Sequence, residues 1–228
     1  VGRTVADAAR ALGVTRVRTG VVTHANIDHF NGFPEIAEEL GMETLFVTPA
    51  LMASRDGAWG AVRGALEASA VVLRPLQTGD VIQLGRGSGL VLWAGTGPDE
   101  RWLGNDGSLA VRFTVDTSAG ERSMLLCGDL QTAGAAGLLS SGLDVRSDVM
   151  EAPHHGSVNN AAIELVGRVA PSVVLQSTGP GRVGLEAWAE SRERSRWLST
   201  AERGAVFAEI MPNGSIRSGG TLPTPDAN

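Results

Sequence analysis

Thr23-His24-Ala25-Asn26-Ile27-Asp28-His29-Phe30-Asn31-Gly32 decides the fold, because it gathers two imidazoles, a carboxylate and the Asn26 amide where a β-branched run gives way to a helix. Val17, Val21 and Val22 lead into it as a buried strand, which places His24 at a strand's end. Pro34, after Gly32, suits the first turn of a helix that runs to Leu40 and closes at Gly41. In the extended part His24 and Asn26 are expected to point to one side, and a turn after Ile27 then brings Asp28 and His29 round beside them.

The other two histidines are adjacent, in Pro153-His154-His155-Gly156-Ser157, so all four imidazoles of the chain belong to two short clusters. Taken alone, an Asp-His pair also fits a helix cap, and Gly128-Asp129 fits an ordinary turn. Confinement of every histidine to strand-end clusters favours metal binding. Together with Asp129, which follows Cys127-Gly128 at another strand's end, the donors match the imidazole and carboxylate preferences of Zn²⁺, Mn²⁺ or Fe and not those of a thiolate site. A two-metal site bridged by Asp129 is consistent with this donor set.

At 228 residues the chain accommodates one large domain, expected over 1–217, with residues 218–228 as a polar, disordered tail. The 30 glycines and 10 prolines imply many tight turns and therefore much β-structure. All 19 basic residues are arginine, and the net charge of −6 disfavours a stable nucleic-acid complex. Cys127 is the only cysteine, so no intramolecular disulfide forms and the compartment is not legible. With no apolar run long enough for a membrane span, the chain is expected to be soluble as given, and cytoplasmic if free-standing.

Patterning predicts helices over 4–13, 57–69, 131–140, 160–168 and 185–197, and strands over 44–48, 147–152, 172–177 and 204–210. Residues 71–115 read as short strands broken by Gly79-Asp80, Gly85 to Gly89 and Gly95 to Pro98. Strands 109–116 and 122–127 form a hairpin through Ser118-Ala119-Gly120, and Asn213-Gly214 marks another turn. Arg192, Arg194 and Arg196 would fall on more than one face of a helix with Glu190 and Glu193 between them, which reads as a solvated face rather than a nucleic-acid strip.

The opening stretch resembles the His-x-His-x-Asp-His signature of the metallo-β-lactamase superfamily. Asn105-Asp106-Gly107-Ser108, Cys127-Gly128-Asp129, His154-His155-Gly156-Ser157 and Thr78-Gly79-Asp80 with Leu84-Gly85 resemble, more narrowly, the hydrolase domain of the ComEC family of DNA-uptake proteins and its free-standing relatives. The resemblance implies an α/β fold, an αββα sandwich of two sheets faced by helices, with metals where strand-end loops converge. By the same resemblance, His24 and position 26 bind a first ion, Asp28 and His29 a second, Asp129 bridges, and His154 is the late ligand. His155 and Ser157 line the pocket as hydrogen-bonding or proton-transfer groups, and Asp28 orients the attacking water.

What this implies is a hydrolase using one or two divalent ions, Zn or Mn, through a metal-bound hydroxide, on phosphodiesters that include single-stranded DNA or a small molecule. An acyl hydrolase of the same fold, acting on a lactone, thioester or β-lactam, is the alternative. Three departures matter. Position 26 is Asn, a weaker neutral ligand where the superfamily has His and ComEC-like members usually Asp, and this leaves room for a non-catalytic domain with a weakened first site. No histidine serves the superfamily's middle motif, near which Asn105 or Asp106 would substitute. The family's opening strands, expected before Val1, are missing, as in a fragment.

Overall fold

The computed structural model describes residues 1–95 and 100–222. The chain divides into two compact units, one of Val1–Thr78 with Ala94–Leu109 and one of Gly79–Trp93 with the chain from Ala110 onward.

The first unit contains α1 (Gly2–Ala11), β1 (Thr19–Val21), α2 (Ile27–Phe30), α3 (Phe33–Leu40), β2 (Thr44–Val47), α4 (Pro49–Ala53), α5 (Gly57–Ala68) and β3 (Val72–Pro75). Its three strands pair in order and in parallel, Gly20 beside Leu45 and Leu45 beside Leu73, because helices carry each crossover. Local chemistry sets the helix ends: Gly41 closes α3 at φ 66°, Thr48 Oγ1 accepts Leu51 N–H at 3.0 Å, and Asp56 Oδ1 accepts Trp59 N–H at 3.0 Å. Val22, Phe30, Leu45, Val47, Leu51, Trp59 and Leu66 form the core. Phe30 meets Trp59 edge-on at 5.5 Å, so the residue just after the His-Asp-His motif anchors that motif to α5.

The second unit contains β4 (Val81–Leu84), β5 (Gly87–Trp93), β6 (Ala110–Thr117), β7 (Gly120–Leu126), α6 (Thr132–Ser140), β8 (Val149–Glu151), α7 (Asn160–Val169), β9 (Val173–Gln176), α8 (Ala189–Arg194), β10 (Arg196–Ser199), α9 (Thr200–Arg203), β11 (Val206–Ile210) and β12 (Ile216–Gly220). Seven strands make one sheet in the order β10-β9-β8-β7-β6-β5-β4. Its β4 to β7 half is an antiparallel meander, whereas β7, β8, β9 and β10 run parallel. That change of direction positions the site. Parallel strands deliver their carboxyl-end loops to one edge, so the residues following 126, 151, 176 and 199 emerge together. Helix α6 lies on β5 with Gly137 against the Trp93 indole, where a Cβ has no room.

Most predicted elements are present, and the predicted 185–197 helix is corrected. A 3₁₀ turn over Glu186–Trp188 leads into the short α8, Ser195 turns extended (φ −128°, ψ 145°), and Arg196–Ser199 becomes the edge strand β10. Pairing of Leu198 with Leu175 and burial of Leu198 override the helical charge pattern. Arg196 therefore leaves the helix, while Arg192 reaches Glu202 at 3.6 Å and lies over the Trp197 ring. The short helices α4 and α9 are additional. Residues 218–220, expected in the tail, belong to β12, which pairs with β11. Residues 223–228 lie outside the described residues, as does the expected turn from Gly95 to Pro98 beyond Gly95. Among the described residues no helix is long and apolar enough to cross a membrane.

Candidate functional site

In the first unit, His24 follows β1 and is buried, and His29 sits in the single turn of α2. Their ring centroids are 4.2 Å apart, and their ligand nitrogens lie within 4.8 Å of one another. Thr23 Oγ1 is 3.1 Å from His24 Nδ1. The extended alternation expected here is replaced by a bend at His24-Ala25, held by Ala25 N–H on the Leu103 carbonyl at 2.9 Å. Asn26 is consequently exposed at the head of α2 while His24 is buried, and its amide Nδ2 donates to Asn105 Oδ1 at 2.9 Å. Asp28 is exposed, with Oδ2 3.7 Å from His29 Nε2.

In the second unit, Asp129 follows β7 and is buried, with Oδ2 3.8 Å from His154 Nε2 and Oδ1 3.5 Å from His155 Nε2. The two histidines and Gly156 form three successive left-handed residues, at φ 44°, 58° and 79°. For residues bearing a Cβ this conformation costs on the order of 1 kcal/mol each, so the surrounding structure must hold it.

That structure consists of donors aimed at three consecutive carbonyls. His154 O accepts Ser157 N–H at 2.9 Å and Arg182 Nη1 at 3.0 Å, His155 O accepts Gln176 Nε2 at 3.2 Å, and Gly156 O accepts the buried Trp188 Nε1 at 2.9 Å. His154 N–H in turn donates to Gly128 O at 3.0 Å, tying the histidine turn to the loop that carries Asp129. One hydrogen bond also assigns the His155 tautomer. His155 Nδ1 faces the Ser177 carbonyl at 2.9 Å and so carries the proton, which puts the lone pair of the neutral ring on Nε2, toward Asp129. His154 Nδ1 lies 2.7 Å from the side-chain amide of Gln131.

Beneath the loop, Glu151 accepts the Cys127 and Gly128 N–H groups on one oxygen at 3.2 and 3.0 Å. Burial raises the Glu151 carboxyl above its ordinary range against the pull of those two donors, with the nearby Asp129 charge adding to the rise. Burial, with the Glu151 and Asp129 charges, also pushes the Cys127 thiol well up, so this cysteine is inert.

The motif residues thus fall into two clusters, His24, Asn26, Asp28 and His29 in one unit and Asp129, His154, His155 and Ser157 in the other. Within each, an imidazole nitrogen and a carboxylate oxygen approach in pairs, at 3.7 Å for His29 and Asp28 and at 3.8 and 3.5 Å for His154 and His155 with Asp129. Gln131, Glu151, Gln176, Arg182 and Trp188 escaped the sequence reading. One signal was there to find: Gln176 is a lone polar residue ending the apolar run Val173-Val174-Leu175, and Glu151 ends Val149-Met150 in the same way.

Neither a protein-family model nor a curated protein matches the chain. Among solved structures it is similar to Tm1679, a metal-dependent hydrolase of the β-lactamase superfamily, at 15% identity over 85% of this chain and 80% of that one, with a TM-score of 0.50. It is also similar to a B3 metallo-β-lactamase with an active-site glutamic acid (16% identity, 83% of this chain, 77% of that one, TM-score 0.45). A further likeness is to Rm3 metallo-β-lactamase (14% identity, 67% of this chain, TM-score 0.44), of which the chain covers 63%, less than two thirds of its length. The mixed α/β architecture, with sheets flanked by helices, is of the metallo-β-lactamase type.

Proposed function

We propose that the chain is a metal-dependent hydrolase acting on phosphodiesters. The observation that carries this is the buried Asp129 carboxylate with the Nε2 atoms of His154 and His155 at 3.8 and 3.5 Å, at the edge where parallel strands end. Imidazole and carboxylate donors without a thiolate suit Zn²⁺ or Mn²⁺. His24, Asn26, Asp28 and His29 are the proposed ligands in the first unit, and Asp129 and His154 those in the second. A bound ion supplies Lewis acidity, lowering the pKa of a water and polarising a phosphoryl oxygen.

The chain's own groups do the rest. His155, held through Nδ1–H on the Ser177 carbonyl, offers Nε2 to take up and return a proton beside Asp129. Asp28, exposed on α2, accepts a hydrogen bond from the attacking water and orients it, and Ser157 offers its hydroxyl to the substrate. The resemblance of the second-half motifs to the ComEC family favours phosphodiesters over acyl substrates. The test is to incubate the chain with Mn²⁺ or Zn²⁺ and compare bis-p-nitrophenyl phosphate and single-stranded DNA with a lactone and nitrocefin. Turnover of the acyl substrates alone would overturn the phosphodiester assignment.

One observation favours a second reading, a non-catalytic domain with a weakened first site: the Asn26 amide is engaged by Asn105. Elemental analysis of protein purified without chelator decides between the two, because less than about one ion per folded chain favours the second.

A further inference from the structure

Beside the histidine turn the second unit opens a cavity of about 550 Å³ lined by His155, Ser177, Thr178, Gly179, Arg182 and Thr200, together with Gly181. Arg182 is the only charged side chain in that lining apart from a protonated His155, and among the described residues it makes no ion pair. Asp129 reaches His155 Nε2 but does not line the cavity.

The guanidinium is held in place. Nη1 donates to His154 O at 3.0 Å, Arg182 O accepts Gln176 Nε2 at 3.2 Å, and Arg182 N–H donates to Gly179 O at 3.3 Å. The loop that carries it is clamped by Thr200, whose hydroxyl accepts Thr178 N–H at 2.8 Å and donates to Thr178 O at 3.0 Å. One bond to a carbonyl leaves most of a guanidinium's five N–H donors for another acceptor, and a planar fork without a carboxylate partner suits a tetrahedral oxyanion. Gly179 and Gly181 put no side chain in the way.

We infer that this cavity is a phosphate subsite in which Arg182 binds a phosphate group of the substrate adjacent to the one that reacts. The inference rests on the phosphodiesterase assignment for its substrate class, and it adds a binding residue that the metal motifs do not contain.

The experiment is titration calorimetry on the full chain as purified, with inorganic phosphate, thymidine 5′-monophosphate and thymidine as probes. Both phosphates are expected to bind and thymidine is not. Arg182→Gln weakens both by about tenfold or more, as loss of a charge-assisted contact does. Trp188→Phe, which removes the tether on Gly156 O and whose side chain does not line the cavity, weakens phosphate binding less than Arg182→Gln does. Tighter binding of the nucleotide than of inorganic phosphate identifies a nucleic-acid phosphate as the occupant, and equal binding identifies the phosphate group alone. Equal phosphate affinity of wild type and Arg182→Gln, or equal loss in Arg182→Gln and Trp188→Phe, overturns the subsite. Binding is read without turnover, so an intact subsite in a chain inert toward bis-p-nitrophenyl phosphate would sink the phosphodiesterase assignment alone.

Discussion

The amide nitrogen of Gln176 donates to the carbonyl oxygen of His155 at 3.2 Å, and this bond ties the carboxyl end of β9 to the turn that carries both histidines. The orientation of the amide follows from chemistry. Trp197 Nε1 is a donor only and lies 2.7 Å from Gln176 Oε1, so Nε2 must face the carbonyls of His155 and Arg182. Gln176 is fully buried, and its removal takes a donor from the His155 and Arg182 carbonyls and an acceptor from Trp197 Nε1. Gln176→Leu, of similar volume, is therefore expected to lose roughly 2–4 kcal/mol in urea unfolding. Its metal content should fall as well, since the histidine turn then loses one of its tethers.

Gly156 is the companion case. At φ 79° a Cβ is strained, and in this structure it would also run into the Gln176 amide. Gly156→Ala should cost about 2 kcal/mol or more by the same unfolding measurement, whereas Gly167→Ala, in α7 with open space at its Cβ, should be neutral or stabilising by up to about 1 kcal/mol.

Asp129→Asn keeps shape and removes charge beside two imidazoles. Elemental analysis should show loss of most bound metal while circular dichroism stays unchanged, since the amide is a poor ligand that still fits the site. Retained metal at the wild-type level would remove Asp129 from the ligand set.

Asn26→Asp runs the other way. Asn105 can turn its amide to donate to the new carboxylate, so the 2.9 Å contact survives while a charged oxygen is added at the head of α2. Metal occupancy or hydrolytic rate should rise. No change in either would count against a ligand role for position 26.

Glu151 sets a pH dependence. Its folded pKa is raised, chiefly by burial, so between the ordinary carboxylate range and the folded value the native state holds more protons than the unfolded one. Stability of chelated protein should consequently fall as pH rises through that window, and acidification through it should recover the loss. Glu151→Gln keeps an oxygen for the Cys127 and Gly128 N–H groups and should flatten that part of the profile in pH-dependent urea unfolding.

Much of the fold was legible in the chain because its signals are local. Gly41 and Pro34 bound α3 by backbone preference, and the Ser118-Ala119-Gly120 turn joins β6 to β7 as the alternation on either side predicts. Residues 195–199 were not legible, because Arg-Trp-Leu-Ser gains its strand geometry from pairing with β9, a partner distant in sequence. The same holds for Arg182 and Trp188. Each is ordinary where it stands, and each matters through a carbonyl near residue 155 that the fold brings to it.

By itself the sequence determined which donors exist and that they cluster: four histidines in two motifs, Asp28 and Asp129 beside them, and Asn26 where a stronger ligand is expected. Residue type and spacing are properties of the chain, and they point to a metal-binding chemistry. Only the tertiary structure decided how those donors are held. The parallel run of β7 to β10 brings loops after residues 126, 151, 176 and 199 to one edge, and there side chains from the later loops hold two left-handed histidines that local propensity disfavours. Most of the bonds that offset this strain come from segments remote in the chain, which is why no local pattern announced it.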